Sequence, residues 1–194
     1  MEGLRKIREY AKEHRIPIIL EDFQQFMEVL LMETKPKKIL EIGTAIGYSS
    51  IFMASVLGGN VRVDTIEVNS DMVEQAWKNI KELGFESCIR IIEGDAIDVL
   101  PILTEEYDFV FIDAAKSKYI EFLPSCVRLV KKKGVIIADN VLYKGMTNGA
   151  DVVRHKQRTA VTGLRKFLEE LENHPELKSE IIDIGDGITL SIKQ

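Results

Sequence analysis

Short apolar runs alternate with amphipathic stretches along the chain from Pro36 onward. Five of these runs are almost continuously apolar and rich in β-branched residues, which is typical of strands that are covered on both faces of a parallel sheet. The five predicted strands are Lys38–Ile42, Val61–Glu67, Ile89–Glu93, Phe109–Ile112 and Val135–Ala138. Because helical patterns fill the gaps between them, the sequence predicts βαβ units.

Three stretches have apolar residues at helical spacing. Glu21–Glu33 and Thr159–Asn173 are predicted to be amphipathic helices. A third helix follows Ser70, which supplies an N-cap signal, and Gly84 supplies its stop signal. Residues 1–35 are predicted to form N-terminal helices that serve as a lid, a dimer surface or both.

Two further strands are predicted at the C-terminus. Glu180–Ile184 and Ile188–Lys193 flank the turn Gly185-Asp186-Gly187, which indicates a β-hairpin. The complete prediction is a Rossmann-like α/β fold. Its seven-stranded sheet is mostly parallel, with an antiparallel C-terminal hairpin and helices on both faces.

Composition narrows the class of protein. With 194 residues, 45% hydrophobic and 29% charged, the chain is expected to form one domain over residues 1–194. No apolar run is long enough to span a bilayer and no signal peptide is evident, so a cytoplasmic location is expected. Cys88 and Cys126 lie in apolar stretches without metal-binding spacing, which favours buried free thiols. A net charge of −5 argues against indiscriminate nucleic-acid binding.

A glycine turn follows the first predicted strand. Its spacing, Gly43-x-x-x-Gly47, lacks the middle glycine of the GxGxxG dinucleotide fingerprint, which disfavours a nicotinamide-dependent oxidoreductase. Glu67 ends the second strand, about where an acid that accepts hydrogen bonds from ribose hydroxyls is expected. Asp95 follows the third strand, where it either accepts a bond from an adenine amino group or caps the next helix.

More acids follow the fourth and fifth strands. Asp113 comes after one of them, and Asp139 and Asn140 come after the other. Carboxylate and amide oxygens are hard donors of the kind that Mg²⁺ accepts, and parallel strand ends meet at one edge of a sheet. The alternative is that Asp113 caps a helix and that Asp139 and Asn140 only form a turn.

Several motifs together resemble one family, the metal-dependent class I S-adenosylmethionine O-methyltransferases of the catechol and caffeoyl-CoA group. They are the ILEIGTAIGYS turn, the acid Glu67, the GDA triplet, FIDAAKSKY, ADNVLYKG and GDGI. Within this group the chain most resembles the bacterial tRNA 5-hydroxyuridine methyltransferases, which make 5-methoxyuridine at the wobble position. ADNVLYKG, the basic segment that ends at Arg158, and HPE before the hairpin carry that closer resemblance.

The resemblance implies a role for each matching residue. Glu41, Gly43, Ser49 and the backbone near Ile19 would contact the methionine end of S-adenosylmethionine. The remaining assignments are Glu67 to the ribose, Asp95 and Ala96 to the adenine, and Asp113, Asp139 and Asn140 to Mg²⁺, with Asp113 also against the cofactor. Lys116 matches the active-site lysine, and relatives imply a homodimer. Thr189 stands about where the catechol enzymes place a carboxylate, which disfavours a catechol substrate.

The predicted chemistry is methyl transfer to an enolic or phenolic hydroxyl. The sulfonium activates the methyl group, Mg²⁺ acidifies the hydroxyl, and Lys116 either receives its proton or balances the anion as an ammonium. Basic residues expected on the active-site side would contact tRNA phosphates, foremost Lys144, Arg154, Lys156 and Arg158. Other interpretations are a small catechol or acyl-CoA substrate, an ordinary solvated charge run, and a cofactor-binding module without catalysis.

Overall fold

The computed structural model describes residues 2–142, 147 and 158–194. Its helices are α1 (Glu2–His14), α2 (Glu21–Thr34), α3 (Tyr48–Val56), α4 (Ser70–Glu82), α5 (Ala96–Ile102), α6 (Tyr119–Leu129) and α7 (Arg158–Asn173). Its strands are β1 (Lys38–Ile42), β2 (Arg62–Glu67), β3 (Ile89–Glu93), β4 (Tyr107–Ile112), β5 (Val130–Ala138), β6 (Leu177–Ile182) and β7 (Ile188–Lys193). A short 3-10 turn covers Lys116–Lys118. The strands form one sheet in the order β3-β2-β1-β4-β5-β7-β6, so the predicted α/β fold is confirmed.

The chain divides into two compact units, residues 1–99 and residues 100–194. In the first unit, β1 pairs with β2 and β2 with β3, all parallel. In the second unit, β4 and β5 are parallel, while β7 is antiparallel to both β5 and β6. The expectation of one domain over residues 1–194 stays a prediction.

Strand register places the functional residues within each unit. In the first unit Glu67 pairs with Glu93, so the acids that end β2 and β3 lie side by side. In the second unit Ile112 pairs with Ala138, so the residues that follow them, Asp113 and Asp139, leave the sheet at the same edge. The strands themselves are buried, which is why only their ends offer polar groups.

The fifth strand is longer than predicted. The prediction begins this strand at Val135, but β5 begins at Val130 and includes the lysines at 131–133. Val130 pairs with Tyr107, which likewise extends β4 toward its N-terminus, and the register shifts before Phe109. Lys131 Nζ donates to Asp108 Oδ1 at 2.6 Å, so a charged segment remains in the sheet by pairing across strands.

The C-terminal hairpin is confirmed, with different bounds. The strand β6 begins at Leu177, which pairs with Lys193. It ends at Ile182, two residues before the predicted end. The connection is therefore longer than the three residues expected. Gly187 has a φ of 78°, and a Cβ atom there would lie 2.2 Å from Leu142 Cγ. Both the positive φ and the lack of space therefore require a glycine at this position.

Helix α4 is capped by Asn69, and the prediction of Ser70 as its N-cap is wrong. The Asn69 side chain accepts hydrogen bonds from the backbone N–H groups of Asp71 and Met72. Ser70 is the first helical residue, and its hydroxyl donates to Glu93 Oε1 at 2.6 Å. Both residues are good caps, so only the backbone conformation of Asn69 decides between them. The stop at Gly84 is consistent with its positive φ of 74°.

Replacing the capping side chain is expected to weaken the fold. Asn69→Ala should lower the free energy of unfolding by about 1 kcal/mol, because two backbone donors lose their acceptor. Urea denaturation followed by circular dichroism measures the change. Ser70→Ala is the matched control and should cost less, since its hydroxyl bonds only to an exposed side chain. A larger loss for Ser70→Ala would contradict the assignment.

Candidate active site

The glycine turn after β1 has the backbone that close approach to a ligand requires. Gly43, Ala45 and Gly47 have φ values of 105°, 44° and 79°, all in the region that disfavours side chains. Gly47 is the N-cap residue of α3 and packs closely on α4, where a Cβ atom would lie 3.3 Å from Ala76 Cβ. The N-terminus of α3 therefore presents backbone N–H groups beside a turn that has little room for side chains.

Glu67 holds this turn to the start of α4. Its Oε2 accepts a hydrogen bond from Ala45 N at 2.8 Å, and its Oε1 accepts from Val68 N at 3.0 Å and Asn69 N at 2.9 Å. The side chain is only partly buried. Since a carboxylate has about four acceptor positions, it can still accept bonds from a ribose. Glu67 is therefore anchored where the sequence predicts a ribose contact.

Glu41 lies inside the first unit and not at its surface. It is fully buried, and its Oε2 accepts bonds from the hydroxyls of Ser50 and Thr65. Ser49, in the first turn of α3, is also buried. Contacts of Glu41 and Ser49 with a cofactor stay predictions, but Glu41 also orients the hydroxyls beneath the glycine turn.

Asp95 caps a helix, as one of its two interpretations expected. Its Oδ1 accepts from Ile97 N at 2.9 Å, and its carbonyl accepts from Asp98 N and Val99 N. Its side chain is exposed while Ala96 is buried. The capping role and a contact with adenine are compatible, because the carboxylate has further lone pairs.

Sequence reasoning missed a polar cluster that ties the N-terminal helices to α3. Arg8 donates to the Tyr48 hydroxyl at 2.7 Å, to Gln24 Oε1 at 2.5 Å and to the carbonyl of Ile19 at 3.4 Å. Tyr48 also donates to Gln24 Oε1 at 2.7 Å. Ile19, predicted to cover the methionine end, is thus linked to the first residue of α3. No local sequence signal reveals bonds between residues 40 positions apart.

The second unit centres on a lysine and a tyrosine. Lys116 Nζ donates to Asp113 Oδ1 at 2.7 Å and to the Tyr119 hydroxyl at 2.8 Å. That hydroxyl lies 3.2 Å from the carbonyl oxygen of Ile112 and 3.1 Å from that of Asp139, and it donates its proton to this pair. One hydroxyl therefore joins the lysine to the ends of β4 and β5. Tyr119 was missed as a functional residue, although it stands one helical turn after Lys116.

These contacts fix the charge of the lysine. Burial alone lowers the pKa of Lys116, but Tyr119 and Asp113 act against it through charge and hydrogen bonds, and the pKa is raised above its ordinary value. Burial also raises the pKa of Tyr119, so its phenol is neutral at pH 7. The Asp113 carboxylate is therefore the charge that keeps Lys116 protonated. This favours the ammonium role over the general-base role.

Asp139 is the most perturbed carboxyl group of this cluster. It is 4% exposed, and burial together with the nearby Asp113 carboxylate raises its pKa to about 7. Its Oδ1 accepts from Asn140 N at 2.6 Å, and Asn140 has a φ of 56°, which asparagine tolerates better than most residues. Among the residues that the structure describes, no group of three His, Cys, Asp or Glu side chains could hold a metal ion. A metal site here would need Asn140 as its third ligand.

Two carboxylates and an amide oxygen fit a hard divalent cation. Burial and then the Asp113 carboxylate raise the pKa of Asp139, and a cation beside both carboxyl groups would favour their charged forms. The donor set is that of a Mg²⁺ site, which keeps several waters. The three predicted ligands are consistent with the ion, and its binding belongs to the proposal below.

The predicted RNA contacts are only partly covered by the structure. Lys144, Arg154 and Lys156 lie outside the described residues. Arg158 is the exposed first residue of α7. Thr189 is 2% exposed and pairs with Ala138 in the sheet, next to Asp139. No helix among the described residues has the length and apolar character needed to cross a membrane.

Comparison with known proteins decides the family. A family profile described as O-methyltransferase matches residues 1–194. The chain belongs to this O-methyltransferase family. The predicted reaction class is therefore confirmed, which favours methyl transfer over the hydride transfer of an oxidoreductase.

Individual relatives agree with this assignment. The chain is 36% identical over 177 residues to a catechol O-methyltransferase from Niastella koreensis, covering 87% of this chain and 78% of that protein. A structure from Staphylococcus aureus, provisionally named a caffeoyl-CoA O-methyltransferase, has a TM-score of 0.92 and 36% identity, covering 98% of this chain and 92% of that one. TomG from Streptomyces achromogenes, an O-methyltransferase of tomaymycin synthesis in complex with S-adenosylmethionine, has a TM-score of 0.88 and 29% identity, covering 100% and 90%.

The raised pKa of Asp139 makes stability depend on pH. In metal-free protein the folded state keeps the Asp139 proton up to about pH 7, whereas the unfolded chain loses it near 3.8. Stability should therefore fall as the pH rises from about 4 to about 7, since the folded state binds more protons. In Asp139→Asn this contribution is absent, so the variant should exceed wild type in stability at pH 7.5 but not at pH 4.

Urea denaturation in chelator across this pH range measures the effect. Asp183→Asn, at an exposed position after β6, is the matched control and should follow the wild-type curve. Parallel curves for wild type and Asp139→Asn would show that the carboxyl group titrates normally.

Proposed function

We propose that this O-methyltransferase uses S-adenosylmethionine and Mg²⁺ to methylate an acidic hydroxyl, with 5-hydroxyuridine of tRNA as its substrate. The observation that carries the proposed chemistry is the cluster at the ends of β4 and β5, where one protonated lysine faces two carboxyl groups. An ammonium beside a divalent-cation site is suited to stabilising an oxyanion.

The cofactor proposal rests on the first unit. TomG, which has the same fold, is complexed with S-adenosylmethionine. In this chain the glycine turn, the N-terminus of α3 and the anchored carboxylate of Glu67 offer backbone donors and a charged acceptor. These groups suit the carboxylate and the ribose of such a cofactor, respectively.

The chain's own residues align and charge-balance the reacting hydroxyl. When bound, S-adenosylmethionine would supply the methyl group activated by its sulfonium and leave as S-adenosylhomocysteine, and Mg²⁺, which Asp113, Asp139 and Asn140 would hold, would lower the pKa of the accepting hydroxyl so that its proton passes to solvent. Lys116, kept as an ammonium by Asp113, donates a hydrogen bond to the oxygen as negative charge develops there. Tyr119 holds that ammonium in place from the other side.

The charge pattern of α7 supports an anionic polymer as substrate. Arg158 is its first residue and Arg165 and Lys166 lie near its middle, while Glu169, Glu170 and Glu172 follow toward its C-terminus. The helix dipole acts within the first and last turns and disfavours a cation at the N-terminus, so helix stability does not explain Arg158. Arg158 is the last residue of the basic segment named in the sequence analysis, and such a run suits the phosphates of an RNA.

A second candidate is a small catechol or an acyl-CoA ester. The names of the Niastella and Staphylococcus relatives favour it, because they denote these substrate classes. Coenzyme A would use the same basic residues for its own phosphates. Against a catechol, the buried Thr189 offers a hydroxyl where the resemblance expects a carboxylate to grip the second oxygen.

The cofactor proposal predicts a defined loss of affinity. Glu67→Ala should weaken S-adenosylmethionine binding by about 1.5–3 kcal/mol, the range for hydrogen bonds to a charged group. Isothermal calorimetry measures the dissociation constant. Glu93→Ala, which removes the neighbouring acid at the paired position of β3, should leave it unchanged. Equal affinity for wild type and a folded Glu67→Ala variant would contradict the proposed ribose contact.

The substrate proposal is tested in cells and in vitro. Nucleoside analysis of tRNA from cells that lack this protein should show loss of 5-methoxyuridine and accumulation of 5-hydroxyuridine. The purified protein should then methylate that tRNA with S-adenosylmethionine. Its activity should be lost in chelator and restored by added Mg²⁺. Unchanged 5-methoxyuridine, together with turnover of a free catechol or a caffeoyl-CoA ester, would select the second candidate.

Salt dependence separates a polymeric substrate from a small one. The double variant Lys156→Ala with Arg158→Ala should raise KM for tRNA and lower the slope of log affinity against log salt by about 1 for each lost phosphate contact. Turnover of a free catechol should be unaffected. Lys132→Ala with Lys133→Ala removes the same net charge from β5 and is the matched control. Equal effects of both double variants would indicate only long-range electrostatics.

A further inference from the structure

The turn that carries Lys116 has little structure of its own. It is a 3-10 turn of three residues without a side-chain cap, and Lys118 N donates to Ala115 O at 2.8 Å. Such short turns are weakly stable because few hydrogen bonds form within them. The position of Lys116 must therefore come from the elements that pack against the turn.

Helix α7 packs on this turn through a glycine. A Cβ atom at Gly163 would lie 2.8 Å from the carbonyl oxygen of Ser117 and 2.9 Å from its Cα atom. Both are backbone atoms, which no change of rotamer can move aside. Any side chain at position 163 would therefore push the helix and the turn apart by several tenths of an ångström. Ser117 is the residue directly after Lys116.

The next turn of α7 reaches the residue on the other side. Phe167, four positions after Gly163 and thus on the same face of the helix, packs edge-on against Tyr119 with ring centroids 5.5 Å apart. Both rings are fully buried. The Tyr119 hydroxyl accepts a hydrogen bond from Lys116 Nζ, so α7 contacts both the backbone and the hydrogen-bond partner of the lysine.

We propose that Gly163 is a positioning residue for methyl transfer, which by allowing α7 to contact the Ser117 backbone holds Lys116 between Asp113 and Tyr119. This inference rests on the catalytic role proposed for Lys116. The glycine is otherwise unfavourable at this place, since glycine in a helix interior is less stable than alanine. A close approach explains why α7 contains one.

Gly163→Ala tests the inference because it both raises helix propensity and displaces the turn, and only the displacement should change activity. Better helix propensity alone would leave activity unchanged. Displacement of the turn should instead lower kcat by about 10- to 100-fold, since a shift of ~1 Å in a reacting group can cost that much. The affinity for S-adenosylmethionine should stay within about twofold of wild type. Thr162→Ala, at the exposed neighbouring position of the same helix, is the matched control and should change neither quantity.

Acetylation of lysines by an N-hydroxysuccinimide ester, read by mass spectrometry, provides a measurement that does not depend on activity. Lys116 is 15% exposed and held by Asp113, so it should react slowly, whereas the exposed Lys78 of α4, outside the displaced turn, serves as the internal reference. Gly163→Ala should raise the ratio of Lys116 to Lys78 labelling several-fold. An unchanged ratio in the folded variant would overturn the inference.

The kcat values are measured with the substrate that the wild-type protein turns over, either hypomodified tRNA or a free catechol. Full activity of Lys116→Ala would refute the catalytic role of the lysine and hence the proposed function, whatever the labelling shows. Raised labelling of Gly163→Ala with unchanged kcat would overturn the role of Gly163 in the reaction. If Gly163→Ala does not fold, Phe167→Leu, which removes the ring contact with Tyr119, should give the same rise in labelling and the same fall in kcat.

Discussion

A desolvated ammonium needs a permanent partner, and this requirement organises the second unit. Lys116 is almost buried, and an unpaired charge there would cost several kcal/mol or lose its proton. Asp113 supplies the opposite charge, and Tyr119 supplies an oxygen that also bonds to the ends of β4 and β5. Because Ile112 pairs with Ala138, the same register that aligns these strands brings Asp113 and Asp139 to one edge. The charge cluster is therefore a consequence of strand pairing and of one tyrosine.

In the first unit the carboxylate of Glu67 accepts bonds from backbone N–H groups instead of from a charged side chain. In its glycine turn Gly43, Thr44 and Gly47 donate to backbone carbonyls, whereas Ala45 N donates to Glu67, which also accepts two bonds from the residues just before α4. The carboxylate thus fixes the turn before any ligand arrives. In both units a carboxylate at a strand end accepts hydrogen bonds from neighbouring groups and so fixes their positions. It keeps further acceptor positions for a ligand, which limits reorganisation on binding.

Sequence reasoning succeeded where one local pattern decides the structure. Apolar runs located all seven strands, and their ends located Glu67, Asp113 and Asp139, because parallel strands place chemistry at one edge. It failed where neighbouring residues compete or where distant ones meet. Lys131 belongs to β5 and pairs with Asp108 on another strand. Asn69 and Ser70 are equally good caps by residue type, and only the backbone conformation shows that Asn69 is the cap. The bonds of Arg8 and the packing of Gly163 join segments far apart in sequence, so no periodicity reports them.

The parts that could be predicted are those that fix the reaction class, and the rest decide the substrate. The strand-end acids, the glycine turn and Lys116 belong to the motifs on which the resemblance to the family rests, and methyl transfer requires the same charges whichever hydroxyl accepts the methyl group. In the proposed function, the residues that would select the acceptor only need to surround this centre; the candidates are Arg158 at the start of α7 and the buried Thr189 of β7. Family membership therefore establishes the chemistry and leaves the acceptor to the side chains outside the strand ends. For the RNA proposal the clearest such residue is Arg158, since a cation in the first turn of α7 runs against the preference of the helix itself.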